Sequence, residues 1–262
     1  MEPSARAAWT AFKRQAEAEG LNVRMVRTRK AVESAFAAAS GSAASPAVFH
    51  PTYRRAVLLG SAGTPLWERF RAAGPDGGTA HPLDRYTERA VERVLAALRG
   101  VDAGAVAVYP FSHARRIVPF LAFLQDTSLL RMTPFGVGVH ARFGPWFAWR
   151  AAVLTSLPLP ASALPTKNTA AESPRQESPC VACPAPCTDA CPAGVVAKAG
   201  FGWQGCVDFR VREAPCRATC LAREACPVGA EFRYAPEQMA YHYEVSLRTI
   251  LAEGWARGRD KS

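Results

Sequence analysis

All eight cysteines of this 262-residue chain lie in one stretch of its sequence. They form two groups of four, and the last cysteine of each group is followed by proline. Thiols at this density ligate iron–sulfur clusters, bind zinc or pair as disulfides. The groups are Cys180, Cys183, Cys187 and Cys191, and then Cys206, Cys216, Cys220 and Cys226.

The spacing of the first group favours an iron–sulfur centre. It reads C-x₂-C-x₃-C-x₃-C-P, which has one residue more than the C-x₂-C-x₂-C-x₃-C-P run of bacterial ferredoxins. In two-cluster ferredoxins the fourth cysteine ligates the other cluster. The sequence therefore predicts two 4Fe–4S clusters with crossed ligands. The first uses Cys180, Cys183, Cys187 and Cys226, and the second uses Cys191, Cys206, Cys216 and Cys220.

Two alternatives stay open at this level. Two Cys₄ zinc sites also use eight thiolates, but they usually carry paired C-x₂-C knuckles, and only Cys180 and Cys183 have that spacing. A disulfide framework needs an oxidising compartment. The N-terminal residues contain no apolar run of signal-peptide length, and no stretch is long and uncharged enough to span a bilayer. We therefore expect a cytoplasmic, reducing location and no membrane partner.

The composition is that of a globular protein with an excess of positive charge. The hydrophobic fraction of 49% is ordinary for a chain that buries a core. The net charge of +10 comes mostly from arginine, which suits either a nucleic-acid partner or an acidic electron donor. The arginines are spread along the chain without a block, and this pattern favours an ordinary solvated surface.

Alternating helical and strand patterns predict a layered α+β or α/β domain over residues 1–160. The Ala/Ser/Gly-rich residues 35–47 predict a loop or a frayed helix end, and Asp84 is a candidate N-cap. The predicted helices are 5–18, one starting at Pro65, 82–99 and 117–124. The predicted strands are 21–26, 55–63, 105–109, 136–140 and 147–157.

The remaining residues divide by composition. Residues 161–179 are rich in Pro, Ser, Thr and Ala, which is typical of a linker. Residues 180–235 hold the cysteines and form the predicted two-cluster domain. Residues 236–262 form the predicted C-terminal helix, with one apolar face.

The stretch 134–160 reads P-F-G-V-G-V-H-A-R-F-G-P-W-F-A-W-R-A-A-V-L-T-S-L-P-L-P. It resembles two related families. One is the cobalamin-processing protein of the methylmalonic aciduria type C kind, which has a similar G-V-x-x-H-x-R-F-G-x-W-F-A-x-R-x-x-V-L stretch. The other is epoxyqueuosine reductase with its reductive dehalogenase relatives, in which glycine-rich strands and an L-P-L-P-like ending precede two ferredoxin motifs. The order of parts resembles the second family, and the local residues resemble the first.

The resemblance implies a nitroreductase-like cobalamin-binding domain followed by a small two-cluster ferredoxin-like domain. It also implies an acidic proton donor before the glycine-rich strand, and the nearest acidic residue is Asp126, although its spacing to Arg131 differs from that family's. A structural role in the core remains the alternative for the histidine and the tryptophan of this stretch. The residues that would line or support the corrinoid pocket are Gly136, Val137, Gly138, His140, Arg142, Phe143, Gly144 and Trp146.

The expected function is that of an oxidoreductase in which two 4Fe–4S clusters pass electrons to a bound corrinoid. The corrinoid would itself be reduced or processed, or would reduce a substrate. A donor such as ferredoxin or flavodoxin would supply the electrons. Two alternatives remain: a ferredoxin-type electron carrier without catalysis, and a reductase that uses FMN, because the nitroreductase-like fold also serves flavin. Nucleic acid is the less favoured partner.

Overall fold

The chain divides into two compact units, and one of them is discontinuous in sequence. The computed structural model describes residues 2–38, 45–74, 81–111, 120–124, 131–159 and 178–252. The first unit comprises Met1–Leu130 and Phe147–Gln176, and the second comprises Arg131–Trp146 and Glu177–Ser262. The division proposed from the sequence differs in one respect, because residues 131–146 group with the cysteine-rich residues. The predicted linker, 161–179, falls almost entirely outside the described residues.

Two amphipathic helices pack against each other in the first unit. Helix α1, Pro3–Ala18, buries Trp9 and Phe12, and helix α4, Pro82–Arg99, buries an apolar stripe. Each has proline in its first turn, where the missing N–H has no intrahelical partner to lose. Arg93 of α4 donates two hydrogen bonds of 2.7 and 2.6 Å to the Glu19 carboxylate just after α1. This bidentate pair fixes the two helices and lowers the pKa of the Glu19 carboxyl.

A four-stranded antiparallel sheet forms the centre of the first unit. The strands are β1 Val23–Thr28, β2 Arg55–Ala62, β3 Val106–Val108 and β4 Phe147–Thr155. Their order across the sheet is β1-β2-β4-β3, so the long strands β2 and β4 lie in the middle. A bulge interrupts their register between Leu59 and Gly60, where the absence of a side chain lets the Ala148 carbonyl approach.

Shorter helices complete the first unit. They are α2 Arg29–Ala38, α3 Pro65–Ala72 and two 3₁₀ turns, Pro46–Val48 and Phe120–Leu124. One face of the sheet packs on a cluster of buried side chains that includes aromatic pairs. Its members are Met25, Val32, Phe36, Tyr53, Ala56, Leu58, Val108, Phe120, Ala122, Phe123, Leu124, Ala152 and Leu154.

The second unit consists of short elements and one long helix. Two of the short helices, Pro186–Asp189 and Pro215–Ala218, begin with proline, and each consists of about one helical turn. The long helix α9, Pro236–Ala252, closes the described part of the chain. The others are α5 Pro186–Asp189, β5 Val196–Ala197, β6 Gly200–Phe201, α6 Trp203–Arg212, α7 Pro215–Ala218, α8 Leu221–Glu224 and the 3₁₀ turn Ala230–Phe232.

Most predicted elements are confirmed, and two predictions are wrong in detail. Residues 136–140 do not form a strand but belong to two tight turns. Asp84 is not the N-cap of α4, because the helix already begins at Pro82 and His81 occupies the cap position. Residues 35–38 form the end of α2, which agrees with the helix-end alternative for residues 35–47. No described helix has the length and apolar character that crossing a membrane requires.

Candidate functional site

The first predicted quartet surrounds one pocket in the second unit. Cys180, Cys183, Cys187 and Cys226 all line it, together with apolar residues that include Phe135. Burial raises the pKa of the Cys187 thiol, and the neighbouring thiols Cys226, Cys180 and Cys183 raise it further. The fourth cysteine of the second group therefore lies with the first three of the first group. This is the grouping that the crossed spacing predicts.

Backbone N–H groups point at the sulfurs of this quartet. The Ala185 N–H donates to the Cys183 Sγ at 3.4 Å. Ala185 adopts a left-handed conformation, with φ of 60°, directly before the proline that begins α5. The Val228 N–H bonds to the Cys226 sulfur and favours its thiolate form. Hydrogen bonds of this kind tune the thiolates that hold iron–sulfur clusters.

The second predicted quartet is assembled from four successive segments. Cys191 follows α5, Cys206 lies in α6, Cys216 lies in α7 and Cys220 immediately precedes α8. Burial raises the pKa of the Cys206 thiol to about 11, and the thiols of Cys220, Cys191 and Cys216 contribute to the rise. These four sulfurs are therefore close enough to act on one another. The isolated position of Cys206 in the sequence does not separate it from its group.

All eight cysteines are free thiols. Within the described ranges, no three or more Cys, His, Asp or Glu side chains are arranged to hold a metal ion. The structure does bring the thiols of each quartet together, and those of the first quartet surround a pocket. That each quartet ligates a cluster stays a prediction.

The glycine-rich segment 131–146 folds into two tight turns. In the first turn the Thr133 N–H donates to the Val137 carbonyl at 2.8 Å, and Gly136 has a φ of +80°. In the second, His140 and Gly144 exchange both backbone hydrogen bonds, at 3.0 and 2.8 Å. Gly144, which closes this turn, has a φ of +58°, a left-handed conformation that glycine adopts without a steric penalty. The glycines therefore serve turns, where the sequence suggested a strand.

His140 stabilises the second turn from inside. Its Nδ1 accepts the N–H groups of Arg142 at 3.0 Å and Phe143 at 3.3 Å. An imidazole nitrogen accepts only when it carries no proton, so the neutral ring is required. Burial lowers the pKa of His140 to about 4, with a smaller contribution from the Arg142 charge. The ring also stacks on Phe143, with centroids 4.5 Å apart.

Both turns pack tightly within the cysteine-rich unit. A Cβ on Gly136 would lie 2.6 Å from the Phe201 ring, and a Cβ on Gly144 would overlap the Val228 carbonyl. Trp146, which ends the segment, is only 1% exposed. The Arg223 guanidinium lies 5.1 Å from the Trp146 ring centre. The segment is thus part of the scaffold that carries both quartets.

The fold of the chain is similar to solved structures of two kinds of protein. The C. elegans B12-trafficking protein CblC, a human MMACHC homologue, is 11% identical over 99% of both chains, with a TM-score of 0.56. Epoxyqueuosine reductase from Bacillus subtilis is 11% identical over 90% of this chain and 69% of its own, with a TM-score of 0.52. An epoxyqueuosine reductase solved with an epoxyqueuosine-modified tRNA-Tyr stem loop gives the same identity and coverage and a TM-score of 0.53.

No protein-family model matches the chain, and no curated protein matches it in sequence. The structural likeness confirms the resemblance to these two families that the sequence suggested. It also confirms the expected fold class, a mixed α+β fold of the nitroreductase-like kind. At 11% identity the likeness concerns the fold.

The residues expected to contact a corrinoid fall into two sets. Gly136 and Arg142 are exposed, and Val137 and Gly138 are partly exposed. The others are engaged inside their own unit. His140, Gly144 and Trp146 are buried, and Phe143 stacks on the His140 ring and meets the Phe232 ring edge-on. Their roles toward a cofactor stay predictions. Asp126 lies outside the described residues.

Sequence reasoning missed three side chains beside the second quartet. Arg210 and Arg223 are only 6% and 8% exposed, although arginine is rarely buried without a partner. Tyr243 of α9 lies within hydrogen-bonding reach of the Cys220 thiol and of Arg223. Helical spacing gave a signal for the first arginine, because Arg210 follows Cys206 by four residues in α6 and so lies on the same face.

Proposed function

We propose that this protein is an oxidoreductase in which two 4Fe–4S clusters pass electrons to a corrinoid. One observation carries the proposal: the eight thiols form two quartets, and the last cysteine of each sequence group lies with the first three cysteines of the other group. Two-cluster ferredoxins show the same exchange. The chain that carries them has the fold of a B12-trafficking protein and of epoxyqueuosine reductases. The electron source is a donor of the ferredoxin or flavodoxin class.

The residues around the first quartet fit a cluster. Its pocket is lined by apolar side chains and by the four sulfurs, and two backbone N–H groups point at sulfur. In the absence of iron the thiols raise one another's pKa values, and a bound metal deprotonates a coordinating thiol outright. When bound, 4Fe–4S clusters exchange single electrons, at potentials set by the surrounding charge, the hydrogen bonds to their sulfurs and their exposure to solvent.

The exposed residues of the glycine-rich segment fit contact with a corrinoid. Gly136 and Gly138 carry no side chain, so a flat ligand can approach their backbone closely. The Arg142 guanidinium is exposed and lies over the Phe143 and Phe232 rings, at 5.3 and 5.7 Å, where it can donate to amide or phosphate oxygens. His140 and Trp146 would support this surface from behind. Asp126 is the proposed proton donor.

The first test is anaerobic reconstitution with iron and sulfide. We expect about eight iron and eight sulfide per chain, which is two clusters of four, and a brown absorbance that dithionite bleaches. Two bound zinc ions without iron would contradict the proposal. Yellow flavin released on denaturation would favour the FMN-dependent alternative.

The second test is a titration of the reconstituted protein with hydroxocobalamin. We expect a shift of the cobalamin visible spectrum and a binding heat. Arg142→Ala should weaken binding without lowering the iron content, whereas Arg131→Ala, also exposed and in the same segment, should leave binding unchanged. If wild-type protein with both clusters gives neither spectral change nor heat, the corrinoid proposal is wrong, and the electron carrier or the FMN-dependent reductase takes its place.

The charge of the chain supports a second candidate, a reductase that acts on RNA. The net charge is +10, and one structure of similar fold was solved with a tRNA stem loop. Binding of a tRNA stem loop should then weaken steeply with salt, because each neutralised phosphate releases a counterion. An affinity that does not change between about 50 and 200 mM salt excludes this candidate.

A further inference from the structure

Two buried arginines lie beside the second quartet. Arg210 in α6 donates from Nε to the Cys216 carbonyl at 3.2 Å and from Nη2 to the Tyr243 carbonyl at 2.6 Å. Its Nη2 also bonds to the Ser246 hydroxyl, and its guanidinium lies 5.1 Å from the Tyr243 ring centre. The charge of Arg210 acts on the sulfurs of Cys206 and Cys216.

Arg223 in α8 is linked to the same quartet through Tyr243. Its guanidinium lies between two aromatic rings, 5.1 Å from the centre of Trp146 and 4.8 Å from that of Tyr234. Its Nη2 donates to the Pro145 carbonyl at 2.5 Å, and its buried Nε has no partner among the described residues. The charge is thus held in an apolar setting and is only partly neutralised by hydrogen bonds.

Tyr243 connects this arginine with a ligand sulfur. Its hydroxyl is within hydrogen-bonding reach of both the Arg223 guanidinium and the Cys220 thiol. A phenol keeps its proton at neutral pH and can donate it to sulfur. The second quartet therefore has a phenol as hydrogen-bond donor to Cys220, and the Arg223 guanidinium contacts the same phenol.

The surroundings of the first quartet are different. The described residues that line its pocket are cysteines, prolines, a threonine, a valine, an alanine and a phenylalanine, none of them charged. Arg233 lies beside this quartet: its Nη2 donates to the Cys226 carbonyl at 3.4 Å, and the residue is exposed. Water and salt screen an exposed charge far more than a buried one. On the side of the second quartet, the negative charge of Glu213 acts on Cys216, but Glu213 is exposed, so its effect is also screened.

We propose that the second quartet holds the cluster of higher reduction potential, so that the first electron entering the protein comes to rest there. This inference rests on the proposed iron–sulfur function. A cluster gains one negative charge when it accepts an electron. Buried cations and hydrogen bonds to sulfur stabilise that form and raise its potential. The electron comes from the ferredoxin or flavodoxin donor, and reduction of the second cluster by the first leaves the first oxidised again.

The test is a redox titration of reconstituted protein, followed by electron paramagnetic resonance. Cys206→Ser and Cys180→Ser, which each remove one ligand, assign the signals to the two clusters. In wild-type protein the signal of the second cluster should appear at the higher potential. Tyr243→Phe keeps the ring and removes the hydrogen bond, and Arg210→Gln removes a buried charge.

Each of these two variants should lower the potential of the second cluster by at least ~59 mV, a tenfold change for one electron, and leave the first unchanged. Arg210→Lys keeps the positive charge, so the potential of its second cluster should lie close to the wild-type value. Arg212→Gln, two residues further on the same helix but exposed, should shift neither cluster. If Arg210→Gln fails to retain iron, the potential of the second cluster in Tyr243→Phe alone tests the inference.

A second cluster with the lower potential in wild-type protein would overturn the inference, as would equal potentials in wild type and Tyr243→Phe. Both results leave the proposed function intact, because two clusters would be present. A reconstituted protein without iron would remove the proposed function and this inference together.

Discussion

At Gly144 the addition of a single methyl group should strongly lower the free energy of unfolding. Its φ of +58° lies in the left-handed region, where an L side chain costs ~1–2 kcal/mol. In Gly144→Ala the new Cβ would also overlap the Val228 carbonyl oxygen and lie 2.6 Å from its carbon. These atoms are backbone, so the hairpin or the 228–229 segment must move. Overpacking of this kind costs about 1–3 kcal/mol more.

A second glycine in the same unit separates the two effects. Gly194 has a φ of +64°, but a Cβ there would meet nothing within 4 Å. Gly194→Ala should therefore cost only the conformational ~1–2 kcal/mol, and Gly144→Ala about 2–5 kcal/mol in total. With a slope of about 4 kcal/mol per molar guanidinium chloride, the difference corresponds to roughly 0.3–0.8 M in the unfolding midpoint.

The assay compares unfolding midpoints of the reconstituted variants by circular dichroism, under anaerobic conditions and at one protein concentration. Midpoints are compared because unfolding with loss of a cluster is not a two-state process. Val228 follows Cys226 by two residues, so we also expect Gly144→Ala to release iron faster to a chelator than Gly194→Ala. If the two variants unfold at the same midpoint, the packing of the hairpin on Val228 is not what holds this segment in place.

Two further predictions concern a ligand and a proton. Cys206→Ser should reduce iron and sulfide to about half and leave the cluster of the Cys180 quartet, since each cluster needs its four thiolates; iron at the wild-type level would show that Cys206 is not a ligand. The neutral His140 ring should make stability depend on pH, because the unfolded chain takes up the proton near ~6.5 and the folded chain only near 4. Stability is then fully present above that unfolded value and is lost as the pH falls toward 4, by up to ~3 kcal/mol. His140→Asn keeps an acceptor for the two backbone N–H groups and should lose this dependence; unfolding curves from pH 7 to 4 that run parallel for both proteins would contradict the assignment.

The sequence predicted the elements whose pattern is local. The stripe of α4 and the apolar run of β2 need only their own residues to be recognised. The grouping of the thiols could also be predicted, because spacing restricts which sulfurs can meet. The predicted strand at 136–140 was wrong because Gly136 adopts a positive φ and lies close to the ring of Phe201, which is far along the chain. The spacing of Arg210 from Cys206 indicates a shared helix face, but nothing in a single sequence shows that Arg210 or Arg223 is buried.

The discontinuity of the second unit sets an order of events during synthesis. Residues 131–146 leave the ribosome long before their partners, since Trp146 packs with Tyr234 and Met239. At ~5–20 residues per second, the intervening ~90 residues take roughly 5–20 s to emerge. For that time the hairpin and its tryptophan lack the surface that buries them. The first quartet is likewise incomplete until Cys226 has emerged, so a cluster bound there as proposed would form only after most of the chain has been made.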